Sequence, residues 1–232
     1  MKWPESLTII EARKRQNLLR ERVRIAPLKR EPRFVAGVDA AFSADRVFAA
    51  ACLFLFPGLS PLEQETTAQK ISFPYVPGFL SLREGPAILA ALERLPHKPD
   101  LILVDGQGIA HPRGFGIASY IGVLTGIPAI GCAKSRLIGE YDEPGKKKGS
   151  WSPLEFDGEI VGAVLRTRDD TRPLFISPGH KTDLKTAIRF TLACTGNYRI
   201  PEPLRCADML SKEMKKMNSG SNPKGQIKEG VL

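Results

Sequence analysis

The sequence predicts an α/β protein, a mixed β-sheet flanked by helices in a single domain. Three observations predict it. Short apolar runs are bounded by turn residues, and segments with helical apolar spacing lie between them. The strands also come in two groups, antiparallel-type first and then single strands alternating with helices. At 232 residues, 42% hydrophobic and 25% charged, the chain is long enough to bury a core without disulfides or metal, and its balance excludes a disordered chain. The longest apolar run, Phe48 to Phe56, falls far short of the roughly 20 residues that cross a bilayer. The first 30 residues are charged throughout, with no apolar leader segment. The expectation is a soluble, cytoplasmic protein with no membrane contact, and a monomer, since nothing argues for an obligate protein partner.

The elements follow in order. Ser6 to Arg24 alternates basic residues with Ile9, Ile10, Ala12, Leu18, Leu19 and Val23, an amphipathic helix with a basic outer face. Residues 34–42 are apolar and bounded by Pro32 and Ser43. Val47 to Phe56 follows the turn-like Ser43-Ala44-Asp45-Arg46, so the two runs read as a hairpin, with Thr66 to Phe73 as a third strand. Ser81 to Leu95 carries Leu82, Ile88, Leu89, Leu92 and Leu95 at helical spacing, with Ser81 as N-cap and Glu84 as its capping-box partner. Leu101 to Val104 is a buried, parallel-type strand ending in Asp105-Gly106. Gly114 to Leu124 reads as a helix and Pro128 to Cys132 as another short buried strand. Residues 142–153 read as a polar loop, Glu159 to Thr167 and Pro173 to Ser177 as paired strands, and Asp183 to Ala193 as a helix capped by Thr182 or Asp183. Residues 1–211 form the domain; residues 212–232 are a polar, basic tail expected to be flexible. This order is compatible with a ribonuclease H-like core.

Charge is unevenly spread. Residues 1–34 carry 10 Lys/Arg against 4 Asp/Glu, residues 35–143 carry 8 against 11, residues 144–211 carry 11 against 8, and the tail carries 5 against 2. A basic periphery around an acidic centre suits a protein that holds polyanions and places a cation among its acids. The four cysteines show no C-x-x-C pairing, and with three histidines a structural zinc site is not expected; the thiols read as reduced core groups.

Asp39 lies inside an apolar strand and Asp105 ends another. Carboxylates there are costly unless paired, hydrogen-bonded or bound to a cation. If the two strands are neighbours, both acids meet at one end of the sheet, and Glu84 on the first turn of a helix can join them. Three hard oxygen ligands without a Cys/His cluster point to Mg²⁺, with Mn²⁺ able to substitute. A hard divalent ion beside a basic surface suggests phosphodiester chemistry.

The stretches PYVPGFLSLRE (Pro74–Glu84) and LVDGQGIAHPRGFGIAS (Leu103–Ser119) strongly resemble the endonuclease V (deoxyinosine 3′ endonuclease) family. AGVDAAF (Ala36–Phe42), GCAKSRL (Gly131–Leu137), PLFISPGH (Pro173–His180) and YRIPEPLRCAD (Tyr198–Asp208) match in the same order, so the resemblance runs from about Phe34 to Asp208. It implies a ribonuclease H-like fold and a nick at the second phosphodiester 3′ of inosine, leaving a 3′-hydroxyl and a 5′-phosphate without removing the base. It places Asp39, Glu84 and Asp105 on the metal-binding acids and Tyr75 on a wedge that fills the gap left by the extruded base, with Pro74 and Pro77 fixing its loop. The hypoxanthine pocket falls on Gly78, Leu80, Gly106, Gly108 and Ile117, read largely by backbone groups that glycines allow to approach closely. Lys134 falls on a motif lysine for phosphate positioning or charge stabilisation. His111 is implied near the metal, Arg113 and His180 are implied as nucleic-acid contacts, and Asp208 sits in a matching motif without being assigned as a ligand.

The run Lys146–Lys148 and the N-terminal helix are further candidate phosphate contacts. The expected substrate is inosine-containing DNA. Inosine-containing RNA is the close alternative, because a 2′-hydroxyl is admitted or excluded by small pocket changes. A non-catalytic nucleic-acid-binding module is the third reading, opposed by the presence of all three acids.

Overall fold

The structure is a computed structural model and describes residues 8–43 and 45–219. Near the N-terminus the amphipathic spacing folds as α1 (Ile9–Arg20). Thr8 opens it with a reciprocal cap: its hydroxyl accepts the Glu11 amide, and the Glu11 carboxylate accepts the Thr8 amide. The helix ends four residues before the expected Arg24, and Ser6 lies outside the described residues. β1 (Phe34–Ser43) and β2 (Arg46–Leu55) form the expected hairpin, with Phe34 opposite Leu55 and Ser43 opposite Arg46; Ala44 of its turn also lies outside the described residues. β3 (Ser60–Lys70) starts earlier than the expected Thr66. It is an edge strand in which only Thr67 is fully buried, so its first half carries no apolar run to announce it.

The second half alternates helices and strands: α2 (Leu80–Arg94), β4 (Leu101–Val104), α3 (Ile117–Thr125) and β5 (Ala129–Ala133). Two N-termini differ from expectation. Phe79, not Ser81, precedes α2 and provides no side-chain cap; Ser81 and Glu84 are buried within the helix instead of forming a capping box. The α3 helix begins at Ile117 rather than Gly114, because Gly114 is left-handed (φ +59°) and Gly116 is extended. β6 (Trp151–Phe156), β7 (Glu159–Leu165) and β8 (Leu174–His180) follow, then α4 (Leu184–Ala193), capped by Asp183 accepting the Thr186 amide at 2.8 Å. β6 begins in the last three residues of the segment read as a loop: it alternates buried Ser152 and Leu154 with outward residues, and its Pro153 is tolerated because β6 is the sheet's other edge.

The last element, α5 (Glu202–Ser219), was not expected, and it continues eight residues into the stretch read as a tail. Its Leu204 and Ala207 sit in the core, with Leu210 packed against it. Residues 220–232 lie outside the described residues.

The eight strands form one sheet in the order β3-β2-β1-β4-β5-β8-β7-β6. Among the described residues only β1–β4 and β4–β5 pair in parallel. One face packs under α1, α2 and α3 through Leu19, Ile88, Tyr120 and Ile121, and the other under α4 and α5 through Phe190 and Leu204. All four cysteines are free thiols, with Cys52, Cys132 and Cys194 buried. Among the described residues no helix is long and apolar enough to cross a membrane.

Candidate active site

Strand register builds the centre of the site. β1 and β4 run parallel with Val38 beside Val104, and the Asp105 amide donates to the Val38 carbonyl at 3.2 Å. One residue further along each strand are Asp39 and Asp105, side by side at the carboxyl edge where open α/β sheets bind ligands. β5, parallel to β4, ends at Ala133 and delivers Lys134 to the same edge, with Nζ 2.5 Å from Asp105 Oδ2 and 2.9 Å from Asp208 Oδ1.

Asp208 arrives from α5. The start of that helix is seated on β1 at Gly37, where an added Cβ would overlap the Pro203 carbonyl, so the helix lies directly on the strand that carries Asp39. Asp39, Asp105 and Asp208 each offer an oxygen, all within 4.8 Å of one another. Ser211, three residues beyond Asp208, donates its hydroxyl to Asp39 Oδ2 at 3.3 Å, and Lys212 Nζ lies 2.6 Å from Asp208 Oδ2.

Burial dominates the electrostatics. It pushes the Asp39 carboxyl up to about 7, with the charge of Asp105 adding to the shift. Glu84, only 8% exposed on α2, is pushed up to about 8 by burial and then by the charges of Asp39 and Asp105, but it is not one of the three acids whose oxygens converge. Burial alone would lower Lys134, but Asp105 and Asp208 outweigh it and hold the ammonium above its ordinary range. Burial would likewise raise Asp208, yet Lys212 and Lys134 keep it low. Three aspartates thus share two ammonium groups, while the cation acting on Glu84 is its neighbour Arg83. A hard divalent cation fits this donor set, since it would offset the desolvation that now favours the protonated acids.

Beside the cluster opens a cleft of about 420 Å³ whose wall includes Asp105 and Lys134. Tyr75 stands at its mouth, 70% exposed, with Pro77 also in the lining. Of the residues expected to read the base, Gly78, Leu80, Gly106 and Ile117 line this cleft. Gly106 has φ +147°, and an added Cβ would press on Ile117, so only glycine suits that floor. Leu80 and Ser81 begin α2, which no side chain caps; the amides at such a helix start are free to meet acceptors. Gly108 is not in the lining: a Cβ there would overlap the Pro178 carbonyl, and its amide donates to Ser177 Oγ at 2.8 Å, so it packs the loop onto β8.

Three other expected residues are enclosed by the fold. His111 lines the cleft but is buried, and burial followed by the charge of Arg113 lowers it to about 4, so its ring is neutral at neutral pH. Arg113 turns inward, with Nε donating to Gln16 Oε1 at 2.5 Å and its guanidinium 4.3 Å from the Phe79 ring centre. His180 is opposite Ala129, at the start of β5, so it sits at the far edge of the sheet from the carboxylates. Its Nδ1 accepts the Arg24 amide at 3.3 Å, and burial lowers it to about 4, so it is neutral and enclosed, away from the acidic cluster.

The lysine run also divides. Lys148 donates to the Thr195 carbonyl and Lys147 pairs with Asp169, whereas Lys146 lines a second cleft of about 670 Å³ with Lys134, Tyr141 and Arg172. Sequence reasoning missed Ser211 and Lys212 and left Asp208 unassigned. The usable signal was the apolar spacing Leu204, Ala207, Leu210, which makes a helix and puts Asp208 and Lys212 one turn apart.

Residues 17–209 match the family model of endonuclease V. The endonuclease V of Roseiflexus sp. (strain RS-1) is 49% identical over 209 residues, which is 90% of this chain and 93% of that protein. A crystal structure of the Streptomyces avermitilis endonuclease V superposes with a TM-score of 0.89 at 45% identity, covering 94% of this chain and 96% of that one. A third match is the Ciona intestinalis endonuclease V, crystallised with a 24mer DNA containing an inosine followed by a ribo-adenosine. It has a TM-score of 0.78 at 30% identity, over 90% of this chain and 98% of that one. The chain belongs to the endonuclease V family.

Proposed function

We propose that this endonuclease recognises deoxyinosine in DNA and, with Mg²⁺, hydrolyses the second phosphodiester on the 3′ side of the lesion, leaving a 3′-hydroxyl and a 5′-phosphate. The observation that carries the reading is the convergence of Asp39, Asp105 and Asp208 beside Lys134, on the wall of a cleft with Tyr75 at its mouth. The inosine-containing DNA bound by the Ciona relative supports the substrate class.

Asp39, Asp105 and Asp208 would hold the ion, with the buried Glu84 electrostatically linked to Asp39 and Asp105; Mn²⁺ shares the preference for such oxygens. When bound, such an ion stabilises charge on phosphoryl oxygens and makes water a better nucleophile. The chain's own groups do the rest. Lys134 keeps its proton and places a positive charge beside Asp105, where a scissile phosphate must approach. Lys212 and Ser211 orient Asp208 and Asp39 from one helix. The Tyr75 ring replaces stacking lost when the base leaves the helix. The Leu80 and Ser81 amides at the start of α2 suit the O6 of hypoxanthine, which adenine lacks, and a tight cleft excludes the 2-amino group of guanine.

The test is a gel assay with matched single-inosine DNA and RNA oligonucleotides beside undamaged controls, with Mg²⁺ and with chelator. The expected result is a chelator-sensitive nick 3′ of inosine, stronger on DNA. Preferential RNA cleavage would transfer the same chemistry to inosine in RNA, and tight binding without cleavage would leave only a binding module.

A further inference from the structure

Between the buried Ala12 and Leu19, the inner face of α1 carries one polar residue, Gln16. Gln16 is 2% exposed, and its amide is fully used: Nε2 donates to the Gly78 carbonyl at 3.2 Å and to the Phe115 carbonyl at 3.1 Å, while Oε1 accepts Arg113 Nε at 2.5 Å. Arg113 also donates to the Gly78 carbonyl, and its own amide donates to His111 Nδ1 at 3.2 Å. Gly78 has φ +79°, and an added Cβ would press into the Arg113 guanidinium, so the approach depends on glycine. Gly78 belongs to the segment that leads into α2 at Leu80, and Phe115 to the segment that leads into α3 at Ile117. These segments form two rims of the base cleft. A single buried amide, braced by Arg113, therefore ties one rim to the other from a third element.

We propose that Gln16 and Arg113 are positioning residues that fix the width of the base cleft, and with it the discrimination of hypoxanthine from purines that carry a 2-amino group. The inference rests on the deoxyinosine reading. A cleft whose polar contacts come from backbone rejects a wrong base only as well as its two backbone segments are held apart, and hydrogen bonds at both rims set that distance. Truncating the amide leaves the Gly78 and Phe115 carbonyls without these partners and frees Arg113.

The experiment measures equilibrium binding by fluorescence anisotropy, using labelled duplexes with one deoxyinosine or one deoxyguanosine opposite the same thymine. The proteins are wild type, Gln16→Ala, Arg113→Lys and the double variant, and each melting temperature is recorded. The expected result is a roughly tenfold fall in the inosine-over-guanine affinity ratio for Gln16→Ala, about 1.4 kcal/mol. Arg113→Lys, which keeps one donor but not the fork, falls between, and the double variant is no worse than the worse single. A lower melting temperature with an unchanged ratio in both single variants would reduce the pair to a structural prop and overturn the proposal. Should Gln16→Ala not fold, the ratio in Arg113→Lys decides alone. Absence of inosine preference in the wild type would instead overturn the reading on which the proposal rests.

Discussion

Asp39 and Glu84 carry carboxyl groups pushed up to about 7 and about 8, chiefly because burial penalises their charged forms. The sign of the consequence is fixed by linkage. Between about pH 4.5 and pH 8 the folded, metal-free protein holds protons that the unfolded chain has released, so these groups make stability fall as pH rises through that window. Replacing Glu84 by Gln removes its share. Glu84→Gln should therefore gain in melting temperature relative to wild type between pH 5 and pH 9 without metal, and Mg²⁺ should close the gap from the wild-type side. Calorimetry showing a pH-independent difference would contradict the assignment. Asp208 is the residue on which sequence and structure part. It sits in a matching motif, yet nothing in that motif says which way it points; the ion pairs with Lys134 and Lys212 do. Asp208→Asn should lower cleavage and Mn²⁺ affinity about 10- to 100-fold, the range found when the groups around a metal are altered. Normal Mn²⁺ affinity in a titration would exclude it from the site.

Secondary structure was legible where apolar residues run or repeat. β1, β2 and β4 have the strongest apolar runs in the chain, and their pairing brings Asp39 and Asp105 together. The two edge strands were not fully legible, because a strand with one partner needs little apolar surface: β3 is polar over its first half, and β6 contains Pro153. α5 was obscured for another reason, since its lysine-rich second half looks like a solvated tail although its first half carries core residues. That helix is held at Gly37, whose missing side chain lets the Pro203–Leu204 backbone touch β1. Gly37→Ala should force α5 off the strand, destabilise the protein by about 1–3 kcal/mol as overpacking does, and displace Asp208. A thermal melt and a cleavage assay check both effects, and wild-type values would show that α5 is not seated there.

Across the molecule, two clefts share Lys134, one with Asp105 and the candidate base contacts and one with Lys146 and Arg172. The net charge of +9 anticipated a polyanionic partner but not which cations serve it. Lys147 and Lys148 are occupied within the protein, and His180 is buried at the opposite sheet edge. If the second cleft carries backbone phosphates, Lys146→Ala/Arg172→Ala should flatten the log–log salt dependence of duplex binding by about 2, near 0.9 for each phosphate no longer neutralised. The double variant Lys147→Ala/Lys148→Ala should change that slope less; equal slopes for both pairs would remove the cleft from the binding path.

Carboxylates from β1, β4 and α5 are held to act together on a phosphodiester close to the base cleft. Single-nucleotide mapping of products from a 5′-labelled deoxyinosine duplex, with wild type and Asp39→Asn side by side in Mg²⁺, tests this most directly. A single nick at the second phosphodiester 3′ of the lesion, at least about a thousandfold slower in Asp39→Asn, is the predicted result, equivalent to about 4 kcal/mol of lost transition-state stabilisation. Cleavage at that position by Asp39→Asn at a near wild-type rate, or wild-type cleavage that persists in chelator, would contradict it.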